Sequence, residues 1–125
     1  MLSSSHIFVG AVAKAARLQP ENLFERSNRR PVREYKQASM FVMRRKGKLS
    51  YTRIAAAMHL KSHDTVLRAC ISFYERLRRG YPGAVEAYGT AVRCYVRLER
   101  QEAESRKRAR EALLAAEEPA NAYVA

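Results

Sequence analysis

The chain has 125 residues, 47% of them hydrophobic, and 24 lysines and arginines stand against 12 acids. That length is one domain with room for a real core. The apolar content is ordinary for a folded protein, and no apolar run approaches the length of a membrane span. The net charge of +12 is not ordinary. It lies wholly in residues 1–80, which hold 17 basic and 5 acidic residues; residues 81–125 hold 7 of each. A basic globular segment joined to a neutral one suggests a polyanion-binding module with an appendage. Solubility alone is the bland alternative.

In chain order, Ser3–Ser5 can cap a helix beginning near His6 and ending around Arg17–Gln19. Phe8, Val12 and Ala15 or Ala16 form its apolar face, with Ile7 and Ala11 alongside. Lys14 and Arg17 follow the apolar stretch instead of preceding it, so the segment is not a secretory signal. The first 20 residues lack acids, as transit peptides do, but they read as a folded helix. Pro20 then starts a short helix with Glu21 at its positive end and Leu23 and Phe24 inward.

Residues 26–30 read RSNRR before Pro31, a loop by composition. A loop this rich in arginine suits a phosphate clamp or a minor-groove arm; a solvated charged loop is the other reading. The next helix is predicted from Pro31 to about Lys46. Val32, Tyr35, Ala38, Val42 and Met43 form its core face, and Arg33 and Lys36 are basic near its start. Arg44-Arg45-Lys46-Gly47-Lys48 closes it: cations suit the negative end, and glycine suits a left-handed terminal position.

Ser50 caps the following helix, YTRIAAAMHL, with Ile54, Ala57 and Met58 inward. Ala55–Ala57 are small enough for a second helix to cross closely. His59-Leu60-Lys61 makes the turn. Ser62 caps a helix running to Arg79 and stopping at Gly80. Its inward stripe is Val66, Cys70, Phe73 or Tyr74, and Leu77. Its outward stripe is Arg68, Ser72, Arg76 and Arg79. Polar groups at a helix N-terminus with a buried stripe behind them are the pattern of a recognition helix in the major groove. Tyr81-Pro82-Gly83 reads as a break. Ala84 to about Glu118 then reads as one helix with Val85, Tyr88, Val92, Tyr95 and Val96 on an apolar face, charged nearly all round from Glu99 to Glu111. Pairs such as Glu102–Arg106 and Glu104–Arg108 support it. Pro119 onward reads as a tail.

These stretches carry a resemblance. VAKAARLQPENLF, RPVREYKQ, LSYTRIAAAM and KSHDTVLRAC occur in that order between about Val12 and Leu77. In order and spacing they resemble the C-terminal DNA-binding domain of the bacterial replication initiator DnaA. The most specific is KSHDTVLRAC, which stands where that family has a glycine-rich turn and then Arg/Lys-Asp-His-Thr-Thr-Val-Leu. The resemblance implies an all-α, TrpR-like helix-turn-helix bundle, here with an additional long C-terminal helix, in a bacterial or phage setting. It implies base or phosphate contacts for Lys61, His63 and Thr65, which match the motif. Ser62 stands where the family has aspartate and Asp64 where it has its first threonine. His59 and Leu60 replace the glycines of the turn. Asn28 stands at the family's minor-groove arginine, so Arg26, Arg29 or Arg30 would have to take that role.

The expected site is therefore Lys61, Ser62, His63, Asp64 and Thr65 on the bases. Arg26, Arg29, Arg30, Arg33, Lys36, Lys48, Arg53 and Arg68 are expected on the backbone or in the minor groove. Asp64 can accept a hydrogen bond from a cytosine amino group or complement the helix dipole. No cofactor is expected. Neither a CxxC pair nor a His/Cys cluster offers a zinc site, and Cys70 and Cys94 read as buried free thiols in a reducing cytoplasm. No nucleophile–base pair stands out and no GxxxxGK[ST] loop occurs, so neither an enzyme nor the initiator's ATPase portion is expected. The expected partner is double-stranded DNA. Residues 1–80 form the DNA-binding unit, and residues 81–125 the oligomerisation or partner-binding appendage, with residues 84–118 as the contact for a second copy or another protein. A sequence-specific regulator of transcription or replication, cytoplasmic and nucleoid-associated, is the first functional reading. A non-specific architectural protein, or an adaptor recruiting replication proteins through the last helix, is the alternative.

Overall fold

The computed structural model describes residues 5–24, 29 and 31–122, with side chains to residue 117. Six helices and no strand occur among the described residues: α1 (Ser5–Ala15), α2 (Pro20–Phe24), α3 (Val32–Arg45), α4 (Tyr51–Ala57), α5 (His63–Arg78) and α6 (Pro82–Ala122). The fold is the all-α bundle expected, with a long C-terminal helix. Ser3, Ser4, Arg26, Asn28 and Arg30 lie outside the described residues.

α3 is the scaffold because it is apolar on more than one side. Ala38, Met40, Phe41, Val42 and Met43 are all buried along it. α5 crosses α3 in the opposite sense: Phe73 and Tyr74 meet Phe41, and Arg76 reaches back to Glu34. α6 runs beside α3 in the same sense. Gly83 starts it against Glu34, Tyr88 meets Phe41, and the Tyr95 hydroxyl donates to the Lys46 carbonyl at 3.1 Å. α1 closes the other side of α6 through Phe8, whose ring meets Tyr95 edge-on. Phe8, Leu23, Met43, Ile54, Met58 and Phe73 are fully or almost fully buried. Each contributes roughly 1.5–3 kcal/mol of apolar burial.

Three helix ends share one device, in which a left-handed residue turns the chain and two amides close the last carbonyls. After α1, Arg17 has φ 60, with Leu18 N–H to Ala13 O and Arg17 N–H to Lys14 O. After α5, Gly80 has φ 75, as expected of a glycine stop. After α4, His59 has φ 58, with Leu60 N–H on Ala55 O at 2.8 Å. The end of α3 departs from expectation. The left-handed residue is Lys48, φ 54, and not Gly47. Glycine is required at 47 for another reason: a Cβ there would lie 2.7 Å from the Met43 carbonyl oxygen.

The long helix differs most from its sequence reading. Pro82 and Gly83 open α6 instead of interrupting the chain, and the helix continues through Pro119 to Ala122. Proline is well placed in a first turn, where its missing N–H is no loss. The buried stripe is Ala84, Ala87, Ala91, Cys94 and Tyr95, whereas Val85 and Val96 are nearly half exposed. The alanines win that face because only small side chains let α6 lie close against α3. α6 thus joins the common core as far as Tyr95, so the boundary at residue 80 is a boundary of charge and not of packing. Ile7, expected beside the core face of α1, is 50% exposed.

Candidate nucleic-acid interface

Helices α4 and α5 with the turn between them form the expected unit. Ser50 caps α4, its hydroxyl accepting from Arg53 N–H at 3.2 Å. Ser62 caps α5 in an extended conformation and accepts from Asp64 N–H at 3.1 Å. Behind that cap, Val66, Ala69, Cys70 and Phe73 are buried, which sets how α5 lies on α3 and α4. Phe73 is the inward aromatic; Tyr74 is 44% exposed. Burial pushes the Cys70 thiol up to about 11, so it stays protonated and inert near neutral pH.

The burial of this stripe leaves the first turn outward. Lys61, Ser62, His63, Asp64 and Thr65 are all exposed, and Arg68 continues the exposed side one turn on. The His63 imidazole Nε2 lies 3.4 Å from Asp64 Oδ1, with both side chains about 60% exposed. One acceptor and one ring with two nitrogens, held side by side at a helix start, can meet base edges in a groove that admits a helix. Asp64 also sits at the positive end of the α5 dipole, which favours its charge.

The turn is braced from outside the two helices. The His59 ring stacks on Phe24 at 4.4 Å between centroids and 19° between planes. Phe24 is the last residue of α2. The stack therefore ties the end of α2 to the turn before α5. Nothing in the local sequence signals a contact over such a separation; the aromatic at 24 only reads as inward.

The basic residues divide. Arg29, Lys48 and Arg53 are exposed. Lys48 sits in its left-handed turn beside the α4 cap, close in sequence to Arg44, whose guanidinium lies 4.3 Å from the Tyr51 ring centroid and donates to Leu49 O. Arg33 is half-buried, and its Nε is buried without a hydrogen-bond partner among the described residues. Lys36 differs from the expected surface cation: only 9% of it is exposed, and burial lowers its pKa. It shares its face of α3 with the buried Val32, Met40 and Met43. Arg26 and Arg30 lie outside the described residues.

Arg76 is a second departure. Expected on the outward basic stripe, it turns back into α3. Its Nε and Nη2 donate to Glu34 Oε1 at 3.0 and 2.6 Å, Nη2 also donates to Gln37 Oε1, and Nη1 donates to Ser72 Oγ at 2.6 Å. Both charged side chains are largely buried, 14% and 9% exposed. This network fixes the far end of α5 on α3, so the near end is presented at one angle.

No group of three or more metal-ligating side chains occurs among the described residues, and no described helix is long and apolar enough to cross a membrane. The arrangement is that of a helix-turn-helix domain: a short first helix, a left-handed turn, and a second helix with a polar, exposed first turn on a buried stripe. Residues 8–72, just over half of the chain, match the bacterial dnaA protein helix-turn-helix family, and the chain belongs to that family. It carries that family's DNA-binding unit. The search of curated proteins found no match.

Proposed function

We propose that this protein is a sequence-specific DNA-binding regulator of replication or transcription that works without an ATPase, in the cytoplasm at the nucleoid. The observation that carries this is the first turn of α5. Five adjacent polar residues, Lys61 to Thr65, are exposed there, while the rest of the helix is anchored by a buried stripe and by the Arg76–Glu34 pair. In this reading α5 enters the major groove, and His63, Asp64 and Thr65 meet base edges, with Lys61 and Ser62 at the margin. Asp64 cannot favour a phosphate, so its partner is a donor such as the cytosine amino group. Arg29, Arg33, Lys48, Arg53 and Arg68 supply backbone or minor-groove contacts. Residues 1–80 carry the DNA contacts, and the part of α6 that leaves the body is a surface for another protein chain. Every residue from 103 to 117 is exposed.

Selection of bound duplexes from a random library at physiological salt tests the reading. An enriched motif is expected. His63→Ala should cost about 1–3 kcal/mol at that motif and little on random duplex. Lys48→Ala should weaken both alike and flatten the salt dependence. An equal loss on both DNAs for His63→Ala, or no enriched motif, would replace specific reading with the architectural alternative.

A further inference from the structure

α1 and α6 lie antiparallel, and a groove open to solvent runs between them. At one end, Ala11, Lys14 and Ala15 of α1 face Cys94, Arg97 and Leu98 of α6 around a hollow of about 450 Å³. At the other end, Ile7 faces Leu98, Gln101, Glu102, Ser105 and Arg106 around a second hollow of about 450 Å³. Leu98 lines both, so the two are continuous. The walls repeat at helical spacing, with Ile7, Ala11 and Ala15 on α1 and Cys94, Leu98, Gln101 and Ser105 on α6. From Cys94 to Ser105 the groove extends roughly 16 Å at 1.5 Å per residue, about three turns of a helix laid along it.

The groove has an apolar floor and a cationic rim. Ile7 is 50% exposed, with Ala11 and Leu98 half-buried beside it. Lys14, Arg97 and Arg100 are exposed, and none of the three is ion-paired among the described residues. Arg97 and Arg100 also border a further hollow beside the exposed Val96, so apolar surface continues past the rim. The charges at the far end are already matched within the chain: Glu102 and Arg106 lie 3.9 Å apart.

Unpaired cations favour an anionic occupant. An apolar floor between small side chains favours the packed face of a helix over a nucleic-acid backbone. A second copy of this chain, at net charge +12, would bring mainly more cations to the rim. We propose that the α1–α6 groove docks an acidic amphipathic helix of another protein. Its apolar residues, three and four apart, lie on Ile7, Ala11 and Leu98, and its Asp or Glu side chains meet Lys14, Arg97 and Arg100. α1 does not pack on α5, so this surface is separate from the exposed first turn of α5, and the groove can be filled while that turn is engaged. The proposal goes beyond the DNA-binding reading and does not depend on sequence-specific recognition.

The probe is a fluorescent peptide of about 14 residues, long enough to fill the groove, with leucines on one helical face and glutamates flanking them. Fluorescence anisotropy with the full chain at physiological salt should show binding in the micromolar range. Ile7→Glu and Arg97→Glu should each weaken it about tenfold, while far-UV circular dichroism and affinity for duplex DNA stay unchanged. A peptide with lysines in place of the glutamates, or with serines in place of the leucines, should not bind. Protein saturated with duplex should bind the leucine–glutamate peptide as tightly as free protein does. No binding of that peptide, undiminished binding by either variant, or displacement of the peptide by duplex would overturn the proposal. So would a matching loss of duplex affinity in Arg97→Glu, which would make the rim a phosphate contact.

Discussion

Replacing Arg76 by methionine would keep most of the side-chain volume and remove the cation that is paired with a buried carboxylate, Glu34. Glu34 is 7% exposed and takes two hydrogen bonds on one oxygen from this guanidinium. Its other oxygen faces Gly83, where a Cβ would sit at 3.3 Å, so α6 covers what α5 does not. Breaking a buried pair from one side costs about 3–5 kcal/mol, because the remaining charge has lost its partner but not its burial. The open groove lined by Glu34, Arg76, Tyr81 and Glu86 lets water approach, which places the expected loss near the lower figure, about 3 kcal/mol. For a domain of this size that is a fall in Tm of roughly 10–15 °C. Glu34→Leu combined with Arg76→Met removes both charges and should recover most of the loss, since apolar replacement of a whole buried pair is often neutral or better. Urea denaturation of the single and double variants, followed by circular dichroism with the slopes checked for equality, measures both numbers. A loss below about 1 kcal/mol for Arg76→Met would refute the argument that this pair is desolvated. So would a double variant no more stable than the single.

The turn before α5 makes a contrasting case. His59→Ala keeps the left-handed strain at φ 58 and loses the Phe24 stack, so it should destabilise by about 0.5–1.5 kcal/mol. His59→Gly loses the same stack but releases strain of about 1 kcal/mol, so it should be close to neutral; thermal melts of the two variants decide, and equal losses would show that the turn is not strained. At alkaline pH two buried acids act together. Burial raises Cys70 from 9.0 to about 11. Tyr95 rises from 10.0 to about 12 through burial first, then its hydrogen bond to Glu99. Each folded-state pKa lies above the unfolded one. The stability each contributes is therefore whole below the unfolded value and lost as pH climbs, between 9 and 11 for Cys70 and between 10 and 12 for Tyr95. Lys36, lowered by burial, opposes this, its contribution growing as pH rises toward 10.5. Tm measured from pH 8 to 11.5 should fall, and Tyr95→Phe should flatten the upper part of the fall by about 2 kcal/mol. An unchanged slope in Tyr95→Phe would refute the assignment.

Much of this molecule is legible along the chain because its information is local. Ser50 and Ser62 announce helix starts by capping chemistry, Gly80 announces a stop, and the buried stripe Val66, Cys70, Phe73 follows from helical spacing alone. The exposed first turn of α5 is then a consequence: whatever the stripe buries, Lys61 to Thr65 lie outside it. What periodicity could not decide was which of two possible faces wins when packing is set by a distant partner. On α6, hydrophobicity favours the valines, but the close approach to α3 admits only Ala84, Ala87 and Ala91, so Val85 and Val96 are left outside. Arg76 and Lys36 read as surface cations by residue type. Their burial depends on Glu34 and on the helices that cover α3, which no window of sequence contains. The stack of His59 on Phe24 is of the same kind. Local propensity and spacing determined the helices and the exposed first turn of α5. Only the tertiary structure decided which charges stay at the surface and which hold the bundle together, because burial belongs to pairs of elements and not to a single one.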